Sequence, residues 1–276
     1  MKIPNPVLLS GLSLLPMPSL AVCAKAVELG FDGVEILASG WNHSRWRKYK
    51  DYLDSDNHSV YMHLHAHEAW SAEESNSPSL IFGILEKLGF LPGSGTALDM
   101  LPDQRIPKIV YASELRATQD DTDLWIQTCP IMRNGKMYPS FRDFKREWLA
   151  SEYKPSICFD FQHYLEWSTG TTMASGDFRN YRTDQLARML IEGFELFSPH
   201  IREIHLTDSD PSLGRDGLNV MIGKGIIPLR QVCNHIRSTQ WKGIIVPEVA
   251  PRPRRLFPYK DSDLTRILEM TWSLLG

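Results

Sequence analysis

The sequence has few cysteines, and none of them is close enough to another to form a zinc or redox motif. No C-x-x-C pair occurs along the 276 residues, and such pairs are the usual sign of a small zinc site or a redox centre. Wide spacing without a secretory pattern favours buried thiols in a reducing compartment. The four cysteines are Cys23, Cys129, Cys158 and Cys233.

The chain also lacks a basic excess and a long hydrophobic run. It has 30 Lys and Arg against 33 Asp and Glu, a formal charge of -3, so binding to nucleic acid is not favoured. No stretch approaches the roughly 18 apolar residues that cross a bilayer, and Pro16 and Pro18 interrupt the N-terminal apolar run. Val22 is too large to precede a lipoprotein cysteine. We therefore expect a cytoplasmic protein with no membrane partner.

Short apolar runs alternate with longer segments of helical periodicity, which is typical of repeated βα units. Eight strands can be counted, and an α/β barrel of about 250 residues forms a single domain. The sequence therefore predicts a (β/α)8 TIM barrel, with residues 1–276 as one domain. The predicted strands are 7–15, 31–37, 60–65, 106–112, 124–129, 156–161, 201–206 and 243–249.

Helices are predicted from apolar stripes and capping residues. Segment 90–105 has no clear period and is predicted to be a loop or an insertion. Ser140 is a predicted helix cap, and Gly30 is predicted to end the first helix. The predicted helices begin near 19, 78, 140, 183, 228 and 263. The one that begins at 183 is predicted to end at 197, and the last of them seals the barrel.

Polar side chains with metal-binding groups recur where the predicted strands end. The C-terminal ends of the strands form the active-site face of a TIM barrel. Carboxylates and imidazoles that meet there are suitable ligands for Mn²⁺, Mg²⁺, Co²⁺ or Zn²⁺. One such residue alone is more often a cap, an ion-pair partner or a structural histidine. Their recurrence on successive strands favours a metal site. The residues are His63, His65, His67, Asp160, His163, His205, Asp208 and Glu248.

Six short segments, in this order and spacing, resemble the xylose-isomerase-like TIM-barrel superfamily. That superfamily includes sugar phosphate isomerases and epimerases, hydroxypyruvate isomerases, inosose dehydratases and the endonuclease IV group. The segments span nearly the whole chain, and each one alone is only moderately specific. They are AVELGFDGVE at 26–35, LHAH at 64–67, DFQH at 160–163, HLTD at 205–208, GKG at 223–225 and IVPE at 245–248.

The resemblance implies roles for individual residues. Asp160, His205 and Glu248 would be metal ligands, with Gln127 at the position of a fourth. Glu248 and His163 would be catalytic and would move a proton. The expected substrate contacts are His65, His67, Asp208, Lys224 and Arg254. Arg254 belongs to a basic cluster, residues 252–255, which either clamps an anionic substrate or lies in a solvated loop.

The chain departs from the family pattern at several positions. Gln127 replaces a glutamate, and an amide has no negative charge and cannot accept a proton at neutral pH. This argues against epimerisation by two bases and predicts weaker metal binding. Tyr111, Gly217 and Asn219 stand where endonuclease IV has site residues, which disfavours a three-metal phosphodiesterase. Lys224 reverses the charge of an acidic position.

The favoured function is that of a metal-dependent isomerase, epimerase or lyase. Its substrate would be a small polyhydroxylated or keto compound, and its chemistry would pass through a metal-stabilised enediolate. One alternative is a catalytically degenerate barrel that binds sugar or regulates. Another is a hydrolase of endonuclease IV type, or an amidohydrolase suggested by His63 and His65. The expected partner is a carbohydrate-like small molecule, and homo-oligomerisation stays open.

Overall fold

The fold was analysed in a computed structural model of the chain. The structure describes residues 3–14, 19–37, 61–65, 108–112, 124–133, 136–175, 177–250 and 258–276. The predicted helix near 78 and the segment 90–105 lie outside these residues, as do His67 and Arg254.

Eight parallel strands form one sheet that closes on itself. Their order is β1-β2-β3-β4-β5-β8-β9-β10. The first and last strands meet through the pairing of Val7 with Ile245, whose backbone N–H donates to Pro6 O at 2.9 Å. The predicted TIM barrel is confirmed. The strands are β1 (Leu8–Ser10), β2 (Gly33–Leu37), β3 (Tyr61–His65), β4 (Lys108–Tyr111), β5 (Leu124–Gln127), β8 (Ser156–Asp160), β9 (Ile201–Thr207) and β10 (Ile244–Glu248).

A two-stranded hairpin follows β5 and was not predicted. Strand β6 (Ile131–Arg133) pairs antiparallel with β7 (Lys136–Tyr138). The two residues between the strands are Asn and Gly, a pair typical of tight hairpin turns. The turn signal was therefore in the sequence, but the strands on either side are only three residues long and give almost no periodicity.

Six helices are described around the barrel. Of the six helices listed below, the third was not predicted, and the fourth has the predicted bounds, 183–197. The 3-10 turns are Gly11–Leu14, Met173–Ser175, Asp177–Asn180 and Pro211–Gly217. The helices are α1 (Ser19–Leu29), α2 (Phe141–Ala150), α3 (Phe161–Thr169), α4 (Thr183–Phe197), α5 (Leu229–Ser238) and α6 (Asp261–Leu275). None of these helices is long and apolar enough to be a membrane span, among the residues that the structure describes.

Aromatic side chains fix α2 and α3 against the barrel. Ser140 caps α2 as predicted, with its Oγ accepting the Asp143 N–H at 3.2 Å. This start turns Phe144 inward, where its ring lies 4.7 Å from that of Trp167 on α3. Both side chains are almost fully buried, and each stabilises the fold by about 1.5–3 kcal/mol. The packing holds the start of α3, where β8 ends, in a fixed position.

Candidate metal centre

Four side chains predicted as metal ligands converge at the C-terminal end of the barrel. Gln127, Asp160 and Glu248 are the last residues of β5, β8 and β10. Register places Asp160 directly beside His205 of β9. All four residues are buried, with at most 5% exposure. Parallel strands in register therefore bring residues from distant parts of the chain to one point.

The Nδ1 atom of His205 lies at the centre of this group. It is 3.2 Å from Gln127 Nε2, 3.5 Å from Asp160 Oδ2 and 3.6 Å from Glu248 Oε1. Two ligand atoms about 2.1 Å from one ion are separated by roughly 3.0–3.4 Å. Each of these separations suits two ligands of one cation. Among the described residues, however, Asp160, His205 and Glu248 do not have donor atoms that all lie within 4.8 Å of one another, so a cation would have to draw the two carboxylates together. The Gln127 amide now donates to Asp160 Oδ2 at 3.1 Å, and rotating it by half a turn would direct its oxygen to the same point.

A second acidic layer lies beneath His205 inside the barrel. The Nε2 atom of His205 is 2.8 Å from Glu35 Oε2 and 2.9 Å from Glu203 Oε1. The Cys158 thiol donates to Glu203 Oε1 at 3.7 Å. Carboxylates on the far nitrogen of a ligand histidine fix its ring orientation. Two triplets have their donor atoms within 4.8 Å of one another: Cys158 with Glu203 and His205, and Glu35 with His205 and Glu248.

The sequence motifs assign no role to Glu35 or Glu203. A signal existed, because side chains two residues apart on a strand share a face. Glu203 precedes His205 by two residues and so points into the same barrel interior, one layer deeper. Glu35 lay within a segment that carried the family resemblance, but nothing in the sequence said that it would meet β9.

The two carboxylates of the site have pKa values shifted in opposite directions. Burial raises the pKa of Glu248 to about 7, and Asp160 and Glu35 add to the rise. Burial also acts on Asp160, but His163 and His205 outweigh it and lower its pKa to about 2. Asp160 is thus a permanent anion, whereas Glu248 can take up and release a proton near neutral pH. Such divergence is typical of paired catalytic carboxylates.

The acidic surroundings also act on His205. Burial lowers the pKa of His205, but Cys158, Glu35 and Glu248 outweigh burial and raise it well above its ordinary value. The ring of the ion-free protein therefore holds protons firmly. A cation at Nδ1 would have to displace one of them, so ion binding would release protons.

His163 lies in the first turn of α3, beside the four converging residues. Its backbone N–H donates to Asp160 Oδ1 at 3.0 Å, because Asp160 caps this helix. Its side chain is 32% exposed. Burial lowers the pKa of His163, but Cys129 and Asp160 outweigh it and raise the pKa well above its ordinary value. His163 therefore lies beside Asp160, and its catalytic role stays a prediction.

The structure places Asp208 among backbone amides. Its buried carboxylate accepts four N–H groups, at distances of 2.8 to 3.2 Å. Burial raises its pKa to about 6, and the amide bonds act against that rise. Asp208 therefore anchors the loop of residues 223–227, and Lys224 in that loop is exposed. Their predicted substrate contacts stay predictions, as does that of His65, of which the backbone alone is described. The four backbone N–H groups that donate to Asp208 belong to Ser209, Gly223, Gly225 and Ile227.

Asn219 holds Glu248 from the other side. Its Nδ2 donates to Glu248 Oε2 at 3.3 Å, and its carbonyl accepts the Ala250 N–H at 2.8 Å. The backbone of Asn219 is left-handed, with φ of 54°, a conformation that asparagine tolerates better than most residues. From the sequence alone, Asn219 differs from endonuclease IV and has no predicted role in the metal site. In the structure it orients a predicted ligand.

Known structures share this fold across the whole chain. No protein-family model and no curated protein matches. A D-tagatose 3-epimerase-like protein has a TM-score of 0.60 and 14% identity, covering 98% of both chains. A xylose isomerase domain protein from Alicyclobacillus acidocaldarius subsp. acidocaldarius has a TM-score of 0.55 and 15% identity, again over 98% of both. Endonuclease IV from Thermus thermophilus has a TM-score of 0.50 and 15% identity, covering 99% of this chain and 100% of the other.

These similarities show that the chain has the xylose-isomerase-like TIM-barrel fold that its motifs predicted. They include a sugar-epimerase-like protein and a nuclease, so the shared fold does not select one chemistry. The activity depends instead on the side chains at the C-terminal end of the barrel.

Replacing Gly225 by alanine tests the anchored loop. A Cβ atom there would lie 2.2 Å from Asp208 Oδ1 and 2.3 Å from the backbone oxygen of Ser209. We expect the Gly225→Ala variant to lose about 1–3 kcal/mol of unfolding free energy, measured in urea. Lys224→Ala is the matched control, because its exposed side chain should change stability by less than about 0.5 kcal/mol. Equal stabilities would show that Asp208 does not hold the loop in this way.

Proposed function

We propose that this chain is a divalent-cation-dependent enzyme that isomerises, or eliminates water from, a small polyhydroxylated or keto compound. The observation that carries the proposal is the convergence of Gln127, Asp160 and Glu248 on the Nδ1 atom of His205. Two carboxylates, an imidazole nitrogen and an amide form a donor set suited to Mn²⁺, Mg²⁺, Co²⁺ or Zn²⁺. The set lies at the usual active-site end of the barrel, which supports the proposal.

The proposed ion would be held by Asp160, His205 and Glu248, with the Gln127 carbonyl as a weak fourth ligand. When bound, such a cation polarises neighbouring substrate oxygens and stabilises an enediolate. Asp160 would contribute the permanent negative charge, because its pKa of about 2 keeps it ionised. Glu35 and Glu203 would hold the ring of His205 from below.

Proton transfer would involve Glu248 and His163. In the ion-free protein, burial raises the pKa of Glu248 to about 7. A bound cation would lower that pKa, so the Glu248 carboxylate would be ionised and able to accept a proton. Epimerisation through two bases needs a second proton acceptor on the opposite face of the substrate. Gln127 cannot provide one, because an amide does not take up a proton at neutral pH. The arrangement therefore favours proton transfer on one face, as in aldose–ketose isomerisation or a lyase reaction.

A carbohydrate-like substrate is the class best supported. The D-tagatose 3-epimerase-like protein shares the fold over nearly the entire chain, and adjacent hydroxyl and carbonyl oxygens suit a hard cation. The nuclease alternative has less support. Asn219 occupies a position where endonuclease IV has a different site residue, and in this chain its side chain donates a hydrogen bond to Glu248.

The Asp160→Asn variant tests the proposed cation site. Removing the permanent anion should weaken Mn²⁺ binding by roughly 100-fold, measured by isothermal titration calorimetry. Asparagine is also a good helix cap, so α3 should keep its start and the loss should not come from unfolding. The matched control is Asp177→Asn, an exposed change outside the site that should leave affinity unchanged.

Wild-type protein that binds no divalent ion at millimolar concentration would contradict the proposed function. Ion binding without turnover of any ketose or aldose in a sugar panel would favour the binding-module alternative.

The Gln127→Glu variant tests the role of the missing carboxylate. We expect about tenfold tighter Mn²⁺ binding, equivalent to about 1.4 kcal/mol, because a fourth anionic ligand is restored. Without ion, the new carboxylate would face Asp160, since the Gln127 amide is 3.1 Å from it. The ion-free variant should therefore melt at a lower temperature than the wild type and gain more from Mn²⁺ in a thermal shift measurement. The control is the exposed Gln231→Glu change on α5, and equal affinities for both variants would rule out Gln127 as a ligand.

A further inference from the structure

Glu166 connects His163 to the segment that follows α3. The two residues are three positions apart on this helix, so their side chains lie on one face. Glu166 Oε2 is 2.9 Å from His163 Nδ1. The other oxygen, Oε1, accepts the backbone N–H of Met173 at 2.7 Å. Glu166 itself is 7% exposed, so both hydrogen bonds are shielded from water.

These contacts determine which nitrogen of His163 carries a proton. A backbone N–H can only donate, so Met173 requires an acceptor at Oε1. The ionised carboxylate then has only acceptor sites to offer at Oε2. A hydrogen bond from His163 to that oxygen requires a proton on Nδ1. The exchangeable position of the ring is therefore Nε2.

His163 also lies close to the segment that follows β5. Cys129 and His163 each shift the pKa of the other, so the two side chains are near each other. Cys129 lies two residues beyond Gln127, the last residue of β5. The His163 side chain is 32% exposed, so part of the ring is accessible while Nδ1 is engaged with Glu166.

We propose that Glu166 is a positioning residue: its hydrogen bond fixes the His163 ring and holds the proton of the neutral ring on Nδ1, which leaves Nε2 as the nitrogen that exchanges a proton with substrate. The proposal deepens the proposed function and rests on it for the role of His163 in proton transfer. In both states of the ring, Nδ1 keeps its proton and Nε2 gives or accepts one. In a catalytic triad, the third residue fixes the tautomer and orientation of the histidine in the same way.

The Glu166→Gln change separates the proposed positioning role from a purely structural role. Glu166 ties α3 to the 3-10 turn Met173–Ser175, and a glutamine at this position could keep that tie. A glutamine has one oxygen that accepts and one NH₂ group that donates. If its oxygen stays on the Met173 N–H, its NH₂ faces Nδ1, which must then lack a proton. The Glu166→Gln change should therefore move the proton of neutral His163 from Nδ1 to Nε2.

The test is nitrogen-15 NMR of the imidazole in the ion-free, full-length protein, at a pH where the ring is neutral. We expect the wild type to show a protonated Nδ1 and the Glu166→Gln variant a protonated Nε2. Glu195→Gln, an exposed change on α4, is the matched control and should leave the His163 signal unchanged. Urea unfolding of each variant verifies that the fold is retained.

Two results would overturn the proposal. The first is a neutral wild-type ring with its proton on Nε2, which needs no variant to fold. The second is a folded Glu166→Gln protein with an unchanged tautomer. Neither result depends on ion binding or turnover. Failure of the proposed function would instead appear as absent ion binding in a protein whose His163 tautomer is as expected.

Discussion

The imidazole of His205 lies between two layers of acidic groups at the C-terminal end of the barrel, and the rest of the site depends on it. Its Nε2 faces Glu35 and Glu203 at 2.8 and 2.9 Å, and its Nδ1 faces Asp160 and Glu248 at 3.5 and 3.6 Å. One ring cannot neutralise four buried carboxylates, and buried charge without a partner is costly. The divalent cation proposed at Nδ1 would supply further positive charge at the C-terminal end of the barrel.

The barrel makes this arrangement through strand register. Asp160 and His205 are paired residues of neighbouring strands, and Cys158 and Glu203 are the pair one layer below. The alternation of side chains along a strand stacks both pairs inside the barrel. Such interior layers are usually filled by branched aliphatic residues. In this chain the layer of Cys158 and Glu203 contains a buried carboxylate. Strands β8 and β9 therefore support the candidate site but stabilise the core less than aliphatic residues would.

Much of the architecture could be predicted from local patterns. Helix α4 has the predicted bounds because its apolar stripe is long and regular, and Ser140 begins α2 because a cap is a local signal. Asp160, His205 and Glu248 were found because they end strands. Glu35 and Asn219 were missed, since each contacts a residue far away in the sequence, and Glu166 was missed together with helix α3. Helix α3 was missed because its polar first turn, with Gln162 and His163, hides the apolar stripe.

A crystal grown with Mn²⁺ and measured for anomalous scattering tests the central claim most directly. The account predicts one strong peak on the Nδ1 side of His205, within about 2.0–2.3 Å of that nitrogen and of carboxylate oxygens from Asp160 and Glu248. A barrel without any peak would contradict it. So would a peak on the Nε2 side, between Glu35, Glu203 and Cys158, because an ion there could not contact a substrate at the barrel mouth.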